Sequence, residues 1–146
     1  MFENTNRLAH AIYDELTDII NEKHLEFFVG GSVRFGYNDI TSDYDIFIKS
    51  ESHDTGLIFT RLGFKKVNRE RDHSEYPIEM DLYDFNNIIH IGIMKDTHYK
   101  ALEREHNIIE NFIRDNHHML SVCMFLKPRI SGANIYRMLL TAARNQ

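Results

Sequence analysis

The feature that most constrains this chain is a short alternating segment in its first third, DYDIFI, which runs from Asp43 to Ile48. Successive side chains of a β-strand point to opposite faces of the sheet. Asp43 and Asp45 would therefore project from one face, while Tyr44, Ile46 and Ile48 would be buried on the other. The pattern predicts a half-buried strand that carries a pair of carboxylates on its open face.

The predicted carboxylate pair lies close in sequence to a glycine-rich turn. Two neighbouring carboxylates repel one another, and a divalent cation commonly neutralises them. Magnesium fits best, because it binds through a few carboxylates together with water and substrate phosphates. Gly30 and Gly31 follow a predicted strand at residues 25–29 and allow a ligand to approach the backbone closely. Ser32 stands at the start of a predicted short helix and Arg34 adds a cation, so the turn predicts a phosphate-binding loop.

These two elements occur at a specific spacing. The pair Gly31 and Ser32 is followed, after ten residues, by Asp43 and Asp45. In this spacing the chain resembles the DNA polymerase beta-like nucleotidyltransferase superfamily, whose signature is a Gly-Ser pair followed by an Asp-x-Asp strand. The fuller string, Gly-Ser-x-Arg-x-Gly and then Ser-Asp-Tyr-Asp, is most similar to the minimal nucleotidyltransferases, which include antitoxin-type enzymes and aminoglycoside-modifying relatives. The motif covers residues 30–45.

The resemblance implies an activity and a set of site residues. The activity is transfer of a nucleoside monophosphate from a nucleoside triphosphate, such as ATP, to an acceptor hydroxyl, with release of pyrophosphate. Two magnesium ions would be held by Asp43 and Asp45, with a third carboxylate on a neighbouring strand. Motif order and strand parity select Asp81, with Glu79 as the rival on the same face and Asp84 ranked third. The residues implied in nucleotide binding are Gly30, Gly31, Ser32 and Arg34. The base stays open, and so does the acceptor, which is a protein, an RNA or a small molecule.

Hydrophobic periodicity predicts both helices and short strands, and the resemblance implies an α+β nucleotidyltransferase fold, in which helices pack on a short mixed sheet. In the tail, residues 97–126 predict either one long helix or two helices that meet near Asn116, and Ser131 can cap a final helix. We expect a single domain over residues 1–146, with a sheet-bearing core at 1–95 and a helical tail at 96–146 packed on it. The other predicted elements are a helix at 4–23, a helix that closes at Gly63, and strands at 64–67, 77–83 and 88–94.

Composition indicates the cellular compartment of the protein and the partners that it does not have. The net charge of -5 argues against a surface that coats nucleic acid. A single cysteine, Cys123, excludes an internal disulfide and a thiolate zinc cluster, which favours a reducing cytoplasm. The N-terminus lacks the basic start and apolar run of a signal peptide, and no apolar segment is long enough to cross a membrane. We therefore expect a cytoplasmic protein with no membrane partner.

Several features keep a second class of function open, namely a module that binds nucleotide or a partner without catalysis. The small size and the lack of an identifiable acceptor module favour such a binder, while three candidate acids favour the enzyme. His90 is either a core histidine or faces the cleft, and no catalytic histidine or zinc site is predicted. Lys127, Arg129 and Arg137 either reach the substrate or are solvated, and the charged segment 68–75 is likewise either a substrate-contacting or a solvated loop.

Overall fold

The computed structural model describes residues 6–67 and 78–146. Within these two ranges the elements are, in chain order, α1 (Arg7–Glu22), β1 (Glu26–Gly30), α2 (Gly31–Phe35), β2 (Tyr44–Lys49), α3 (Thr55–Arg61), β3 (Lys65–Val67), β4 (Asp81–Phe85), β5 (Ile89–Met94), α4 (Asp96–Asp115), α5 (Met119–Leu126) and α6 (Gly132–Arg144).

The five strands form one mixed sheet in the order β1-β2-β5-β4-β3. β2 and β5 are parallel, whereas every other pair of neighbouring strands is antiparallel. A parallel pair needs a crossover connection, and here α3, β3 and β4 lie between the two strands in sequence. The prediction of an α+β chain with a mixed sheet and C-terminal helices is confirmed.

One face of the sheet is covered by α1 and α3. Tyr44, Ile46 and Ile48 of β2 point to this face and are all 0% exposed, as the alternation predicted. Tyr13 of α1 stacks on Tyr44 with ring centroids 4.1 Å apart. Aromatic pairs at this spacing add to the free energy gained from burial alone. The apolar side of β2 is thus fixed against α1, which forces the alternate residues of the strand to the opposite face.

The opposite face, which carries Asp45, is partly covered by the C-terminal helices. Phe28 of β1, Met94 of β5 and the half-buried Phe47 of β2 belong to a second hydrophobic cluster on this face. The helical members of that cluster include Tyr99, Leu102 and Ile109 of α4 together with Ile135, Leu139 and Leu140 of α6. The tail therefore packs on the same face of the sheet as the predicted acids.

The helix predictions for the tail are resolved in favour of two helices. α4 ends at Asp115 and α5 begins at Met119, with Asn116 as the C-cap of α4. Ser131 caps α6 as predicted, because its Oγ accepts a hydrogen bond from the Asn134 backbone N–H at 3.2 Å. None of the helices in residues 6–67 and 78–146 has both the length and the apolar content that a membrane span requires.

The strand predicted for residues 77–83 begins later than expected. β4 starts at Asp81 and extends to Phe85, while residues 78–80 lead into it without strand structure. The charged segment 68–75 and the start of the predicted strand at Pro77 lie outside the residues that the structure describes.

The second cluster predicts that the tail contributes directly to the stability of the sheet. Leu139→Ala should lower the free energy of unfolding by about 2–5 kcal/mol, because it leaves a cavity at a fully buried position. Chemical denaturation should still give one cooperative transition. The control is Met124→Ala, at a side chain that is 48% exposed, and it should change stability by less than about 0.5 kcal/mol. Two separate transitions in the wild type would contradict a single domain.

Candidate functional site

The candidate site lies on a line of residues that crosses the sheet. Gly30 of β1 is paired with Asp45 of β2, Asp45 with His90 of β5, and His90 with Asp84 of β4. Directly paired residues in neighbouring strands point to the same face. Asp43 immediately precedes β2, and its Oδ2 lies 2.6 Å from Nε2 of His90. The structure therefore brings Asp43, Asp45, His90 and Asp84 to one face of the sheet.

The glycine pair has two different roles beside these acids. Gly31 has φ +66°, a conformation that side chains disfavour, and a Cβ at this position would collide with the Asp45 carboxylate. Gly31 therefore leaves the space that the carboxylate occupies. A Cβ on Gly30 would lie 2.5 Å from Nε2 of His106 and 2.7 Å from Phe47. Gly30, which the sequence predicts to contact nucleotide, allows close packing between β1 and α4.

Two polar residues of α2, Ser32 and Arg34, face different surroundings. Arg34 is bound to α4, where its Nε lies 2.7 Å from Glu110 Oε2 and its Nη2 donates to Asn107 Oδ1 at 2.7 Å. Its side chain is only 9% exposed, so these contacts fix it away from the acids. The structure does not bring Arg34 to the site. Ser32 stays there, with its Oγ 3.4 Å from Oγ of Ser42.

The third carboxylate is placed differently from the sequence expectation. Asp81 is paired with Ile93, which puts it on the face opposite Asp45, and its side chain is 64% exposed, 3.7 Å from Lys66. The exposed Glu79 precedes β4, and its backbone N–H donates to Nδ1 of His98 at 3.4 Å. The expected shared face for Asp81 is therefore not found. Asp84, ranked third from the sequence, is the acid of β4 on the face of the site.

His90 connects the acids of two strands. Its Nε2 lies 2.6 Å from Asp43 Oδ2, and its Nδ1 lies 3.0 Å from Asp84 Oδ1. Burial lowers the pKa of His90, but the hydrogen bond to Asp43 and the charges of Asp45, Asp43 and Asp84 raise it more, so that the net pKa lies above its ordinary value. The sequence carried a signal for this position. In β5, His90 and Gly92 alternate with three isoleucines, which indicates that the histidine lies on the less apolar face.

A cavity of about 360 Å³ opens beside this line of residues. Gly31, Ser32, Asp43, Asp45 and His90 form one side of it, and residues of the tail form another. The tail and sheet residues that complete the lining include Lys127, Ser131, Tyr136, Phe47, Met80 and Leu82. The face that the sequence predicted to be open is thus a cleft between the sheet and the tail. Lys127, for which the sequence left both a substrate contact and a solvated position open, lines this cleft.

The donor set suits a hard divalent cation that also binds substrate. Asp43 and Asp45 offer carboxylate oxygens on one face, and the missing side chain of Gly31 leaves the space that the Asp45 carboxylate occupies. In residues 6–67 and 78–146, no group of three or more His, Cys, Asp or Glu side chains forms a preformed metal cage. Magnesium typically uses one or two protein carboxylates together with water and substrate phosphates. The residues present therefore fit magnesium bound with a phosphorylated ligand.

Comparison of the chain with protein-family models, curated proteins and solved structures found no match in any of the three.

The packing around Gly31 predicts a strong and local effect of adding one methyl group. Gly31→Ala should destabilise the protein and displace the Asp45 carboxylate, because the new Cβ would occupy that space with a disfavoured backbone angle. We expect a loss of about 1–3 kcal/mol in unfolding free energy. The control is Gly132→Ala, where an added Cβ meets nothing within 4 Å. Equal stabilities for the two variants would contradict this account of Gly31.

The raised pKa of His90 predicts how stability depends on pH in metal-free protein. A raised pKa means that folding favours the protonated ring, so the contribution is complete at low pH and is lost as pH rises through the folded-state pKa. With a chelator present, the unfolding free energy of wild type relative to His90→Gln should fall as pH rises above the ordinary value of 6.5. Urea denaturation at a series of pH values measures this difference. If the stability of wild type relative to His90→Gln instead grows with pH, the raised pKa of His90 is contradicted.

Proposed function

We propose that this protein is a magnesium-dependent nucleotidyltransferase, which moves a nucleoside monophosphate from a nucleoside triphosphate to an acceptor hydroxyl and releases pyrophosphate. The observation that carries the proposal is the position of Asp43 and Asp45 on one face, beside Gly31, at the wall of a 360 Å³ cavity. The same residues carry the resemblance to the DNA polymerase beta-like superfamily. On this basis we also assign the mixed sheet to the nucleotidyltransferase fold.

Each side chain of the site then has a definite task. Asp43 and Asp45 would hold magnesium, which when bound neutralises charge on the phosphates and on the attacking and leaving oxygens. Gly31 leaves the space for Asp45. Ser32 offers a hydroxyl to the phosphates from the cavity wall. Arg34, held on α4 by Glu110, is left out of nucleotide binding.

We assign the third carboxylate to Asp84 instead of Asp81. Asp84 lies on the face of the site, and His90 stands between it and Asp43. Asp84 can orient the His90 ring by its contact with Nδ1, and the oriented ring can hold the Asp43 carboxylate in position by its contact through Nε2. Asp81 is exposed on the other face and contacts Lys66. Its carboxylate is therefore assigned no part in the reaction.

A second function, nucleotide binding without transfer, is favoured by one observation. The residue directly beside Asp45 on the neighbouring strand β5 is His90, a base, where a third carboxylate would be closest to the pair. His90 also contacts Asp43, a proposed metal ligand. Such an arrangement retains a site for magnesium and phosphates but lacks an acid next to the pair.

Transfer and binding are separated by one set of incubations. The protein is mixed with magnesium and each of the four α-labelled ribonucleoside triphosphates, alone and with RNA, cell-lysate protein or an aminoglycoside. Transfer attaches label to the acceptor and releases unlabelled pyrophosphate. Binding without turnover, measured by calorimetry with the same triphosphates, would instead support the second function. Absence of both transfer and magnesium-dependent binding would contradict both.

The aspartates should differ sharply in how much transfer activity is lost when each is changed to asparagine. Asp43→Asn and Asp45→Asn should reduce transfer roughly 100-fold or more, because each removes a charged metal ligand. Asp84→Asn should reduce transfer while largely preserving triphosphate affinity. Asp81→Asn is the matched control, since it lies in the same strand as Asp84 on the opposite face. Loss of transfer in the Asp81 variant, with wild-type turnover in the Asp84 variant, would reverse the assignment.

A further inference from the structure

Lys127, at the end of α5, reaches the loop between α2 and β2. Its ammonium group donates a hydrogen bond to Oγ of Ser42 and lies 3.3 Å from Oδ2 of Asp39. Ser42 immediately precedes Asp43, and its hydroxyl lies 3.4 Å from Oγ of Ser32. The hydroxyl of Ser42 thus lies between the Lys127 ammonium group and Ser32, which belongs to the loop expected to hold phosphate.

We propose that Lys127 binds the triphosphate tail of the nucleotide, so that the helical tail of the chain supplies the cationic side of the site. The inference rests on the proposed function and goes beyond it, because it assigns the phosphate contact to a residue outside the motif at residues 30–45. It also replaces Arg34, whose guanidinium is held on α4 by Glu110 and Asn107.

The charge balance of the cleft supports this role. A nucleoside triphosphate together with Asp43 and Asp45 carries more negative charge than two magnesium ions neutralise. Among the described residues that line the cavity, Lys127 is the one lysine or arginine. A lysine suits the task because its compact ammonium group has three donors on a flexible stem and can follow a phosphate oxygen.

The present contacts of Lys127 can be exchanged for phosphate without leaving Asp39 unpaired. Oδ1 of Asp39 accepts hydrogen bonds from the backbone N–H of Thr41 at 2.8 Å and from its hydroxyl at 2.6 Å. Those two bonds do not involve Lys127. Asp39 is also 41% exposed, so water can take the place of the ammonium group. The competing role is a purely structural one, in which Lys127 ties α5 to the loop before β2.

Calorimetry with matched ligands separates the two roles. Lys127→Met and Lys127→Arg are titrated, with magnesium, against a non-hydrolysable nucleoside triphosphate and against the corresponding monophosphate. Lys127→Met should weaken triphosphate binding about tenfold or more, the expected effect of removing one charged hydrogen bond, and should change monophosphate binding less than about twofold. Lys127→Arg should retain most of the triphosphate affinity. The control is Lys100→Met, which removes a lysine that is also paired with an aspartate but lies on the surface of α4.

Each other outcome has a definite meaning. Unchanged triphosphate affinity in Lys127→Met overturns the proposal, and so does an equal loss for both ligands, which indicates that Lys127 shapes the loop. A lower melting temperature with an unchanged ratio of the two affinities also identifies the structural role. Failure of the proposed function has a different signature, because wild type itself would then show no magnesium-dependent triphosphate binding.

Discussion

The rest of this structure depends on the burial of one side of β2, which holds two carboxylates on the other side, where their like charges repel. The alternation of β2 fixes Asp43 and Asp45 on one face, and the complete burial of Tyr44, Ile46 and Ile48 prevents the strand from turning over. In the metal-free protein, His90 offsets part of the repulsion by its hydrogen bond to Asp43, and the acids in return raise its pKa. Magnesium held by these carboxylates would offset more of the repulsion, because it carries two positive charges.

The same constraint explains why the C-terminal helices matter to function. Phe47, two residues after Asp45 on β2, is packed in the cluster formed with α4 and α6, so the tail covers one end of the face that carries the acids. The other end is left as a cleft. A site between sheet and helices excludes bulk water better than an open face does, which strengthens the electrostatic interactions inside it. The tail is therefore a wall of the proposed site, and Lys127 is the charge that it carries into the cavity.

Local patterns in the sequence were enough for much of the fold and for the face of the sheet on which Asp45 lies. Alternation placed β2 and its acids, and the glycine pair marked the turn, because these features depend on residues close in sequence. Asp81 was expected on the face of the acids and lies on the other, because its face follows from pairing with Ile93, a long-range register that parity alone does not fix. For the same reason, the sequence placed Arg34 at the site, which it does not reach, and left the position of Lys127 open, which lines the cavity. Their partners, Glu110 and Asp39, are distant in sequence and become neighbours only when the tail packs.

The central claim is that Asp43 and Asp45 together hold a divalent metal with a nucleotide. The most direct test is a crystal structure of wild-type protein with manganese and a non-hydrolysable nucleoside triphosphate, with the metal located from its anomalous scattering. The account predicts a manganese peak within roughly 2.0–2.3 Å of oxygens from both carboxylates, the range expected for such ions, and in contact with phosphate oxygens. Nucleotide bound elsewhere, or a well-occupied nucleotide with no metal at this pair, would contradict it.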